Sequence, residues 1–75
     1  MKFAVLDFET TGSQPGDEII QVGLVIIDQF EITDRYTSLV NPGVSIPSSI
    51  TTLTGITNDM VKDAPSLDQV MSDMF

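Results

Sequence analysis

Nine consecutive residues, Ile19 to Ile27 (IIQVGLVII), are apolar and mostly β-branched, interrupted only by Gln21 and Gly23. Branching at Cβ suits a pleated surface better than a helix, so this run predicts a strand. A shorter run, Phe3 to Leu6 (FAVL), precedes it and predicts a central strand buried on both faces. Ile32 to Val40 (ITDRYTSLV) alternates less cleanly, with Ile32, Tyr36 and Val40 expected on one side. That pattern predicts a partly exposed edge strand. Asp28-Gln29-Phe30-Glu31 links the last two strands as a hairpin turn, without the Asn-Gly or Asp-Gly pair such turns favour. Three strands in succession are expected, the second and third an antiparallel hairpin.

The pattern changes after Pro47. Ser48 or Ser49 is placed to cap a short helix through Leu53, and Gly55 to end it. Thr57 is placed to cap a second turn over Asn58 to Val61, and Pro65-Ser66 to open a third helix. Ser66 and Gln69 there have capping-box spacing. Leu67, Val70, Met71 and Met74 recur at i, i+3, i+4 and i+7, an apolar stripe that needs a cover. The third helix reaches Phe75 with no cap residue after it, which reads as a cut C-terminus.

At 75 residues the chain is one small domain, near the lower limit for an independent core. Chains this short usually need disulfides, a metal or a partner. With no cysteine, disulfides and thiolate metal sites are excluded, which fits a cytoplasmic protein. The start, MKFAVLDFE, is too short in apolar residues for a signal peptide, and no stretch approaches the ~20 apolar residues of a membrane helix. Three Lys plus Arg against eleven Asp plus Glu give a net charge of −8. That balance argues against a simple nucleic-acid-binding module. It leaves room for a metal-dependent nuclease, whose acidic site is neutralised by cations. There is no histidine, so any histidine base would have to come from elsewhere.

The candidate chemistry lies in DFETTG, residues 7–12. Strand side chains alternate faces, so Asp7 and Glu9 project together and Phe8 points the opposite way. Two carboxylates on one face can hold hard cations through oxygen. In an acidic chain, a lone D-x-E is more often two solvated side chains. Here it follows an apolar strand and leads into TTGSQPGDE, a stretch of turn residues. A second element, Leu53-Thr54-Gly55-Ile56-Thr57 (LTGIT), falls between two short helices. Its plain reading is a Gly C-cap followed by a Thr N-cap, with Leu53 and Ile56 as core contacts.

DFETTG, then IIQVG, then IP followed by LTGIT and MV, resembles the opening of a DEDD-family (DnaQ-like) 3′–5′ exonuclease. The resemblance runs from Phe3 to about Met71. That family includes the proofreading subunit or domain of bacterial DNA polymerase III and the exonuclease module of DinG-like helicases. The resemblance implies an α/β, ribonuclease H-like exonuclease fold, a mixed five-stranded sheet in the order 3-2-1-4-5 flanked by helices. Residues 1–75 would be the N-terminal portion of a single exonuclease domain, truncated to three strands and the short helices that follow.

The resemblance also assigns roles. Asp7 and Glu9 match the carboxylates that bind two divalent ions, Mg²⁺ or Mn²⁺, only partly held by this chain. Thr10, with Thr11 and Gly12 in the same turn, matches the segment that meets the terminal nucleotide, and Thr54 and Ile56 match the loop packed near it. After the glycine, where many members wedge an apolar residue against a base, this chain has Ser13. The family's other two aspartates and its His or Tyr base belong to motifs beyond these residues, and Tyr36 is outside the base motif. Asp59, Asp63, Asp68 and Asp73 read as solvated helix residues.

The implied activity is 3′–5′ hydrolysis of a single-stranded nucleic-acid end, DNA ahead of RNA, in proofreading or repair. Implied partners are the remainder of the exonuclease domain and polymerase or helicase parts. The isolated chain is expected to be inactive and, with an open first-strand edge, to self-associate. Two rival readings are a non-catalytic module of the same fold and a haloacid-dehalogenase-like phosphatase. The second acid, Glu9, and the strand hairpin that follows argue against the phosphatase.

Overall fold

The structure is a computed structural model that describes residues 1–74; Phe75, the expected end of the third helix, lies outside the described residues. Strands β1 (Lys2–Thr10), β2 (Ile19–Asp28) and β3 (Glu31–Leu39) come first. Helices α1 (Ser48–Thr54), α2 (Asn58–Val61) and α3 (Leu67–Met74) follow. The strands form one antiparallel sheet in the order β1-β2-β3, so the longest apolar run takes the middle.

β1 is not the doubly buried strand its composition predicts. Among the described residues it pairs with β2 alone, and Phe3, Val5, Leu6 and Phe8 are between 39% and 50% exposed. An apolar strand is buried only where neighbours cover it, and one neighbour is not enough. β3 is the other edge, as expected. A bulge between Ile26 and Ile27 skips Thr33, so Ile32 faces Ile27 whereas Tyr36 faces Leu24. Ile32 is thereby thrown out of phase with Tyr36, contrary to the expected common side. The hairpin turn is where the sequence puts it, with Gln29 and Phe30 both at positive φ, 49° and 68°.

A second bulge sets the core. Glu9 faces Gln21 and Thr10 faces Ile19, so Ile20 has no partner on β1. In a regular strand Ile20 and Val22 would share a face. Here Ile20 joins Ile46, Ile56 and Val61 in one buried cluster, against half-buried Leu39, Ile50 and Ala64. Val22 joins Val40 and Val70 in another, with Ile19, Tyr36, Leu67 and Met74 packed on it. Leu67, Val70 and Met74 of the α3 stripe are therefore covered by the chain's own sheet and the residue that follows it. Burying each such side chain contributes about 1.5–3 kcal/mol, and both clusters gather where β2 begins.

Local chemistry ends the helices much as expected. Gly55 is the C-cap of α1 at φ 78°, its N–H donating to the Thr51 carbonyl. Thr57 caps α2 by accepting the Met60 N–H. Neither Ser48 nor Ser49 caps α1. Pro47 is the N-cap, with no side-chain capping bond, because its extended backbone (ψ 144°) already places its carbonyl to receive the first helical N–H groups. The capping box of α3 is half made. Ser66 Oγ accepts the Gln69 N–H at 3.2 Å, while the Gln69 side chain donates forward to Asp73 at 2.9 Å.

Candidate active site

β1 carries both carboxylates on one face, and β2 decides what lies beside them. Asp7 faces Gly23, Glu9 faces Gln21, and Gly23 in turn faces Thr37 on β3. The glycine leaves a gap in the row. The result is a shallow pocket of about 190 Å³ lined by Asp7, Phe8, Glu9, Gln21, Gly23 and Thr37. Asp7 is exposed and Glu9 half-buried. Asp7 Oδ1 accepts the N–H of Phe8 at 3.0 Å, and among the described residues no donor meets the other carboxylate oxygen.

A second depression of about 320 Å³ adjoins the first, lined by Phe8, Glu9, Thr10, Gly12, Ser13, Ile50, Leu53 and Thr54. DFETTG and LTGIT, more than forty residues apart, thus form opposite walls of one cleft, and Glu9 and Phe8 border both depressions. Leu53 is 80% exposed and offers an apolar surface to the cleft.

The remaining predicted residues are spread between cleft and scaffold. Thr10 is half-buried and its hydroxyl donates to the Gly12 carbonyl. Thr11 is buried, its hydroxyl donating to Asp17 at 3.0 Å and accepting the Glu18 N–H at 2.9 Å. Thr54 donates to the Ile50 carbonyl at 2.8 Å and accepts the Ile56 N–H at 3.1 Å. The Ile56 side chain is 4% exposed and packs in the first buried cluster. Its carbonyl accepts the Thr51 hydroxyl at 2.8 Å, so Ile56 fixes the loop from below. Asp59, Asp63, Asp68 and Asp73 are exposed, and Asp59 pairs with Lys62 at 2.9 Å.

Sequence reasoning missed Gly23, Thr37 and Leu53. A glycine inside an otherwise β-branched strand was the available signal, because such glycines mark close approach of a ligand or another backbone.

The donor chemistry is all oxygen, which suits a hard divalent cation. No group of three or more ligating side chains gathers among the described residues. Asp7 and Glu9 are two such oxygen donors, carried on one strand at positions facing Gly23 and Gln21.

Comparison with known proteins puts the chain among the nucleases. The exonuclease model (RNase T type) matches residues 4–75, and the chain belongs to that family. It is 43% identical over 76 residues to the 3′-5′ exonuclease DinG of Bacillus subtilis (strain 168), covering 99% of this chain and 8% of DinG. It is 49% identical over 71 residues to the PolC-type DNA polymerase III of Caldanaerobacter subterraneus subsp. tengcongensis, covering 93% of this chain and 5% of the polymerase. The chain thus spans less than a tenth of these relatives' length. Among solved structures it superposes on the nuclease domain of 3′hExo, a DEDDh family member bound to rAMP. That match has a TM-score of 0.87 at 30% identity and covers 97% of this chain and 41% of that one. The three-stranded sheet with its short helices is a truncated ribonuclease H-like exonuclease fold.

Proposed function

We propose that this chain supplies part of the hydrolytic site of a 3′–5′ exonuclease that trims single-stranded nucleic-acid ends, with DNA the preferred substrate. The observation that carries this reading is the placement of Asp7 and Glu9 over the Gly23 gap, directly beside a cleft walled by LTGIT. The exonuclease family and the DNA polymerase and DinG relatives support it.

In this reading Asp7 and Glu9 hold part of the shell of two divalent ions, Mg²⁺ or Mn²⁺. Held there, such ions would supply activation of a water and stabilisation of the leaving oxygen. They also offset the chain's negative charge where a phosphate must come close. The Thr10 backbone and Gly12 meet the terminal nucleotide from one side of the cleft, and Leu53 and Thr54 from the other. Thr11 and Ile56 act from behind, holding the two walls. Two carboxylates do not complete such a site and these residues offer no histidine, so we infer that the 75 residues alone do not hydrolyse nucleic acid. The rest of an exonuclease domain, in a polymerase or helicase context, is the proposed partner.

The test is a 3′-labelled single-stranded oligonucleotide with Mg²⁺ and the protein at native length. Digestion that depends on metal and is lost in Asp7→Ala supports the assignment. Unchanged digestion by Asp7→Ala overturns it.

A further inference from the structure

The Asp17 carboxylate touches neither depression, yet it closes the loop that forms one wall of the cleft. Its Oδ1 accepts the Thr11 hydroxyl at 3.0 Å and its Oδ2 accepts the Gln14 N–H at 2.7 Å. Its own N–H donates back to the Gln14 carbonyl at 3.1 Å. The Thr11 backbone is tied to the far end of the same loop, N–H to the Glu18 carbonyl, at 2.8 Å. One charged side chain thus satisfies two donors six and three residues behind it, as Asp does in turns that would otherwise leave N–H groups open.

Gly12 shows how tight this closure is. A Cβ built on Gly12 would lie 2.6 Å from Asp17 Oδ2 and 3.1 Å from its Cγ. The carboxylate occupies the space that a side chain at position 12 would need. Gly12 and Ser13 are lining residues of the cleft, so the wall stands where Asp17 holds it.

We propose that Asp17 is a positioning residue for the nucleotide cleft, acting through Thr11, Gln14 and the Gly12–Ser13 backbone. The inference rests on the exonuclease reading above. Loosening this loop widens the cleft without disturbing Asp7 and Glu9, which are fixed by the strand register. Its effect falls on substrate affinity rather than on the chemical step. Conversion to Asn leaves one acceptor oxygen in place of two and removes the charge, so the Gln14 N–H and the Thr11 hydroxyl no longer each have an acceptor of their own.

The experiment compares wild type, Asp17→Ala and Asp17→Asn at native length, digesting the same labelled oligonucleotide with Mg²⁺. KM is expected to rise about tenfold in Asp17→Ala, the worth of one charge-assisted hydrogen bond, with kcat within about twofold. Asp17→Asn is expected to fall between, and it carries the test if Asp17→Ala does not fold. Gly12→Ala should raise KM by itself but add nothing in the Asp17→Ala background, where the atoms its methyl would strike are gone. An unchanged KM in both Asp17 variants, a fall in kcat alone, or additive effects of the two alanines would overturn the proposal. If wild type digests and depends on Asp7 while Asp17 variants match it, Asp17 fails alone. If Asp7→Ala is without effect, the exonuclease reading fails and takes this inference with it.

Discussion

Gly23 stands directly across from Asp7 in the β1–β2 register, so the first carboxylate of the site has no side chain opposite it. A Cβ at Gly23 would meet nothing closer than the Asp7 carbonyl at 3.9 Å, so Ala fits. Glycine inside a strand costs about 0.5–1 kcal/mol relative to alanine. Gly23→Ala is therefore expected to melt higher. Gly23→Val, whose methyls project into the carboxylate pocket, is expected to lower kcat/KM at least about tenfold while remaining folded. Melting curves and oligonucleotide digestion, both on the protein at native length, check the two variants; full activity in Gly23→Val would show that the gap has no role.

Leu53 and Ile56, both expected as core contacts, part company: Ile56 is buried and Leu53 lies exposed on the cleft. Leu53→Ser removes an exposed side chain and is expected to change stability by less than about 0.5 kcal/mol. Its kcat/KM should nonetheless fall about tenfold or more, the apolar wall being lost. Ile56→Val, in the buried cluster, should cost about 0.5–1.5 kcal/mol with little effect on KM. Each kcal/mol is read as a shift of about 4–8 °C in Tm for a domain of this size. A stable Ile56→Val variant with a raised KM would place Ile56 at the substrate instead.

What the sequence made legible was local. Periodicity located β2 and the α3 stripe, and turn chemistry located Gly55 and Thr57, because each signal lies within a few residues. The two walls of the cleft were expected from resemblance, since nothing in residues 7–12 alone points to residues 53–54. The misses are matters of pairing and phase. The exposure of β1 depends on which strands flank it, information that Phe3 to Leu6 do not carry. Ile56 is the buried core contact its plain reading gives, whereas Leu53, expected beside it in the core, is turned out to the cleft. Asp17 was hidden because its bonds reach back across a loop whose closure no periodicity reports.

The outer edge of β1 supports a prediction about association. Val5 is half exposed and carries no partner strand on that side among the described residues. Open apolar edges template pairing with another chain, and a lysine blunts them. The 75-residue chain alone is expected to elute and scatter light as a dimer or larger species. Val5→Lys should move it toward monomer. A monodisperse monomer of the unaltered chain at tens of micromolar would refute this.

The hairpin turn holds stability that the fold does not use. Gln29 and Phe30 both sit at positive φ, where a side chain costs about 1–2 kcal/mol that glycine avoids. Phe30 is 99% exposed, so its ring returns almost nothing by burial. The bond from the Gln29 N–H to the Met1 carbonyl, 3.0 Å, is made by backbone and survives substitution. The double change Gln29→Asn and Phe30→Gly supplies the pair that two-residue hairpins favour. It is expected to stabilise the domain by about 1 kcal/mol or more, with digestion unchanged because the turn lines neither depression of the site. Urea unfolding checks it through a higher midpoint at constant slope. A lower midpoint would mean that Phe30 contributes more by packing beside Met1 and Phe3 than its backbone strain costs, since those three residues, with Gln29, line a small apolar hollow at the tip.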